Sequence, residues 1–82
     1  MAQNQLSKKS IRLLPEHIAF KEIIYQYLAK RKTDIKEMCR ECGLTLHYTK
    51  RKFDDEVPAT IVDVRKIAKA IGKKIEINFT NL

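Results

Sequence analysis

Asp34-Ile35-Lys36-Glu37-Met38-Cys39-Arg40-Glu41-Cys42-Gly43-Leu44-Thr45-Leu46-His47-Tyr48-Thr49-Lys50-Arg51-Lys52-Phe53 is the stretch whose reading decides the fold. Asp34 with Glu37 three positions on reads as a capping box, with Asp in place of the usual Ser or Thr. Ile35, Met38, Cys39 and Cys42 then share one face, which predicts a short helix over 35–42. Gly43 stops it, because glycine enters the left-handed conformation without a Cβ clash. Leu44 follows and Thr45 is placed to cap a second helix over 46–53. On that helix Leu46, Thr49 and Phe53 share a face, while His47, Lys50 and Arg51 point elsewhere. Two short helices crossing over a glycine turn, with Leu44 plugging the space beneath it, make a helix-turn-helix pattern.

Working outward toward the N-terminus, Phe20, Ile23, Ile24, Tyr27 and Leu28 recur at helical spacing and predict a helix over Glu16–Lys32. Pro15 suits its first turn, and Lys30-Arg31-Lys32 suits the negative end of its dipole. Ile11 and Leu13 alternate with Ser10 and Arg12, which predicts a short strand. Residues 1–9 are polar and aperiodic and read as a flexible basic arm, whose Lys8 and Lys9, with Arg12 just beyond it, are candidates to meet phosphate.

Toward the C-terminus, Asp54-Asp55-Glu56 and Pro58 read as a loop whose acids would repel phosphate and mark the edge of a basic surface. Thr60 with Asp63 is a second capping box. Ile61, Val64, Ile67, Ala68 and Ile71 form the stripe of a fourth helix ended by Gly72. Lys74-Ile75-Glu76-Ile77-Asn78-Phe79 alternates strictly and predicts a strand over 74–79, with Ile75, Ile77 and Phe79 on its apolar face. A lone strand needs a partner, either the 10–14 segment or the same strand of a second copy.

The chain has 82 residues, enough for one domain, here 10–82. Its 44% apolar and 33% charged residues are a globular mixture. The longest apolar run is three residues, so neither a membrane helix nor a signal-peptide core is expected, and the cytoplasm is the expected compartment. The two cysteines are then expected as thiols. Cys39-x-x-Cys42 lies on the apolar face of its helix, with only His17 and His47 as further soft ligands, so it reads as core and not as a metal or redox site. No paired carboxylates or nucleophile–base pattern stand out. No catalysis, metal or cofactor is expected.

Charge is focused. The net charge is +7, and residues 30–52 hold eight basic side chains against three acidic ones. Such focusing favours a polyanionic partner.

At Cys39-x-x-x-Gly43-Leu44-Thr45, at the interval from Gly43 to Gly72, and at Val64-Arg-Lys-Ile67-Ala68-Lys-Ala70-Ile71-Gly72, the chain resembles the lambda repressor/Cro-type (XRE) helix-turn-helix family. The likeness covers about 33–79, the closing strand included. Cys39 stands where the family usually has Ala, Ile35 where it has a polar residue, and Thr49 and Lys52 where it buries apolar ones. The resemblance implies a mainly α fold of four to five helices with the C-terminal strand. It also implies a homodimer that binds double-stranded DNA and regulates transcription, as a repressor, with helix 46–53 in the major groove.

Thr45, His47, Tyr48 and Arg51 are the expected base-edge contacts, and Lys30, Arg31, Lys32, Lys36, Lys50 and Lys52 the expected phosphate contacts. Three alternatives stand beside this reading: an antitoxin of the same fold that grips a toxin protein, a protein-interaction module that has lost DNA, and a basic RNA-binding domain.

Overall fold

In the computed structural model, residues 7–74 are described, and they form five helices. These are α1 (Lys8–Arg12), α2 (Pro15–Arg31), α3 (Ile35–Cys42), α4 (Leu46–Phe53) and α5 (Ile61–Ala70). The mainly α class expected from the sequence holds, and no strand occurs among the described residues.

The segment expected as a short strand at Ile11 and Leu13 is instead α1. The alternation there was too brief to fix a period. A serine cap decided the matter: the Ser7 side chain accepts the Ser10 N–H at 3.1 Å. Helical spacing then buries Ile11 and leaves Leu13 exposed. Lys8 and Lys9, read as part of a flexible arm, lie in this helix, and residues 1–6 fall outside the described residues. Most of the strand expected over 74–79, including Ile75, Ile77 and Phe79, also lies outside them; its pairing with 10–14 is excluded by α1.

Helix α2 is the backbone of the domain. Its predicted stripe is buried at Phe20, Ile23, Ile24 and Tyr27, with Leu28 half-buried. The stripe extends one turn further back than apolar residues alone indicate, because His17, three positions before Phe20, is fully buried. The helix ends at Lys32, which caps it in the left-handed conformation (φ 51°). A non-glycine residue costs about 1–2 kcal/mol there.

Helix α5 lies along α2 and supplies Val64, Ile67 and Ala68, with Ile71 just beyond its end. Its capping box forms as read. The Thr60 hydroxyl accepts the Asp63 N–H at 3.3 Å, and the Asp63 carboxylate accepts the Thr60 N–H at 3.1 Å. Met38 and Cys39 of α3 close the core. Each large apolar side chain removed from water here contributes roughly 1.5–3 kcal/mol.

Candidate nucleic-acid interface

Helix α3 begins where expected. The Asp34 carboxylate accepts the Glu37 N–H at 2.9 Å. The second half of the expected box is absent, because the Glu37 carboxylate turns outward and takes the Arg40 guanidinium at 2.7 Å. That hydrogen bond and the guanidinium charge lower the Glu37 pKa. At the other end Gly43 adopts φ 71°, and the N–H groups of Gly43 and Leu44 both donate to the Cys39 carbonyl. The chain reverses within three residues and starts α4.

Helix α4 rests chiefly on α3 and buries only Thr49 completely, with Leu46 and Phe53 half-buried beside the core. This is the face expected to turn inward. The opposite face carries His47, Tyr48 and Lys50 in solvent, with Arg51 half-exposed at its border. Tyr48 is 55% exposed, and the His47 and Tyr48 rings meet edge to face at 5.4 Å. Thr45 precedes the helix, but its hydroxyl makes no capping bond and stays available.

The phosphate candidates divide into two groups. Lys32, Lys36 and Lys50 are exposed and form no ion pair among the described residues. Lys30, Arg31 and Lys52 are engaged within the protein. Lys30 donates to the Ile71 carbonyl at 3.2 Å. Arg31 pairs with Glu41 at 3.0 Å and donates to the Ala70 carbonyl, so both cations serve the negative end of α5. Lys52 meets Asp63 at 2.7 Å, with both side chains largely covered. This pair joins the last turn of α4 to the first of α5. Lys66, on α5, lines the recess between the glycine turn and α4 together with Thr45 and Tyr48. Sequence reading missed it, because helix α5 was judged only by its apolar stripe.

The acidic loop departs furthest from expectation. Asp54 is exposed, but Asp55 is buried, in the left-handed conformation (φ 62°), and cannot serve as a surface repellent. Its carboxylate accepts the Arg12 Nε–H at 2.7 Å, His17 Nε2–H at 2.8 Å and a Lys21 ammonium hydrogen at 3.2 Å. His17 Nδ1 accepts the Ala59 N–H at 3.1 Å, which leaves Nε2 to carry the ring proton. Burial would raise the Asp55 pKa, but the hydrogen bonds from Arg12, His17 and Lys21 and the Lys21 charge outweigh it and hold the carboxyl far below its ordinary value. The loop after α4 is thereby tied to α1 and α2. Glu56 is likewise not idle, since it accepts the Arg51 Nε–H at 3.3 Å.

Cys39 and Cys42 are free thiols. Partial burial, with Glu41 and Cys39 beside it, pushes the Cys42 thiol up, which disfavours the thiolate that metal binding and redox chemistry use. Among the described residues no three His, Cys, Asp or Glu side chains group as a metal would need, and no helix is long and apolar enough to cross a membrane. Comparison with protein-family models, curated proteins and solved structures gives no match to this chain.

Proposed function

We propose that this protein is a sequence-specific double-stranded DNA-binding regulator of transcription, a repressor of the lambda repressor/Cro type, that inserts α4 into the major groove. The observation that carries the reading is the stance of α4. It commits a single residue fully to the interior and turns His47, Tyr48, Lys50 and the edge of Arg51 outward. A helix with its side chains is about 10–12 Å across, and the major groove is about 12 Å wide.

Arg51 suits guanine O6 and N7, Tyr48 a thymine methyl or a sugar, and Thr45 and His47 neighbouring base edges. Lys32, Lys36, Lys50 and Lys66 then fix the protein on the phosphates, and the net charge of +7 draws it there. Lys30, Arg31 and Lys52 act on the DNA only through the helices they tie. The protein works as a homodimer, with two copies of α4 reading half-sites roughly 34 Å apart.

The test is selection of bound duplexes from a random DNA pool by the full chain. An enriched palindrome supports the reading; a pool that stays random after repeated rounds refutes it. A second reading, an antitoxin or interaction module of the same fold, is favoured by the exposed Leu13, Ile18, Tyr25 and Val62, which lie off α4 and offer apolar area to a protein partner.

A further inference from the structure

We infer that Glu56 is a positioning residue that aims Arg51 at its base. The inference rests on the DNA-binding reading above and adds to it a second residue that sets base preference without touching a base.

An arginine that reads guanine must present its two terminal nitrogens as a fork, and a long flexible side chain loses entropy when it does so. Arg51 is restrained before any DNA arrives. Its Nε–H donates to Glu56 Oε1 at 3.3 Å, the only side-chain hydrogen bond of Arg51 among the described residues. The two terminal nitrogens are left for a ligand. The backbone reinforces the pair, because the Glu56 N–H donates to the Arg51 carbonyl at 2.9 Å.

A partner five positions on lies outside the ordinary i, i+3 and i, i+4 neighbours of a helix. Glu56 reaches Arg51 because the chain folds back at Asp55, whose positive φ of 62° is held by Arg12, His17 and Lys21. Glu56 is therefore mounted on an anchored loop, adjacent to a buried carboxylate fixed on both oxygens. The first two helices are linked to the reading side chain through this chain of contacts.

A different role for Glu56, simple repulsion of DNA phosphates, makes opposite demands. Removing a repellent strengthens binding to every sequence alike. Removing a positioning residue lowers preference and leaves sequence-independent affinity nearly unchanged.

The experiment compares wild type, Glu56→Gln, Arg51→Ala and the double variant, each as the full chain. Affinities are measured for the palindrome enriched from the random pool and for a scrambled duplex of equal length. Glu56→Gln is expected to lower the palindrome-to-scrambled ratio about two- to fivefold, within what an exposed ion pair supports, and to cause no further loss in the Arg51→Ala background. A ratio unchanged while affinity rises on both duplexes overturns the inference, as does an equal loss with and without Arg51.

A measurement on the free protein separates this from the DNA reading. The Arg51 Nε–Hε resonance should be protected in wild type, and in Glu56→Gln it should shift and exchange faster; an unaltered resonance overturns the pairing even if DNA binding stands. Conversely, a protected resonance in a wild type that shows no sequence preference would overturn the DNA reading and the role of Glu56 with it, leaving the pair as a local contact.

Discussion

Replacing Asp55 tests the linkage on which the position of α4 depends. In Asp55→Ala, three donors lose their common acceptor. They are not equal. Arg12 is 60% exposed, so its guanidinium returns to water at little cost, and Lys21 at 28% does so in part. His17 is fully buried, and its Nε2–H is left without a partner, which costs about 1–3 kcal/mol. Alanine at a φ of 62° adds about 1–2 kcal/mol of backbone strain. The expected total is about 2–5 kcal/mol. That is a large part of the roughly 5–15 kcal/mol that holds a small domain folded. Asp55→Asn differs in kind. It tolerates the left-handed conformation and keeps an oxygen for His17; the charge is lost and the amide NH2 replaces the acceptor of Arg12, but Arg12 is exposed and returns to water, so the cost falls to about 1–2 kcal/mol. Urea denaturation followed by circular dichroism at pH 7 gives both numbers. Asp55→Ala within about 1 kcal/mol of wild type, or Asp55→Asn as damaging as Asp55→Ala, would refute the reasoning.

Acid should unfold the protein through the same groups. Burial opposes ionisation of Asp55 and Asp63, yet their hydrogen-bonded cations hold both carboxyls below the ordinary 3.8; the stabilisation is therefore full above that value and is lost as pH falls below it. Urea midpoints should drop between about pH 4 and pH 2, less steeply in Asp55→Asn. Gly43→Ala should cost about 1 kcal/mol in thermal denaturation: φ is 71° and nothing lies within 4 Å of the added methyl, so the loss is backbone strain alone. Lys52→Ala should lower stability by about 1 kcal/mol and leave the salt dependence of DNA affinity unchanged, whereas Lys36→Ala should leave stability unchanged and make the slope of log affinity against log salt shallower by about one.

Much of the local architecture was legible in the linear chain. The helix boundaries around Asp34, Gly43 and Thr60 were readable because caps and turns involve residues within four positions of one another, and so was the burial of Phe20, Ile24 and Ile67, which follows from the 3.6-residue period. The outward stance of His47, Lys50 and Arg51 followed from the same period. Where the pattern was too short, as at Ile11, a nearby Ser cap overrode it.

The tertiary structure alone decided how the charges are used. Asp55 lies 38 positions from His17 and 43 from Arg12, and no local rule ties residues at that separation. The same holds for Lys30 and Arg31, which look like any basic helix end until α5 arrives beside them. Periodicity states which side of its own helix a residue occupies. Which helix end, carboxylate or open solvent it then meets depends on how the helices pack, and that packing gave Lys30, Arg31 and Lys52 partners within the protein and left Lys32, Lys36 and Lys50 without an ion pair among the described residues.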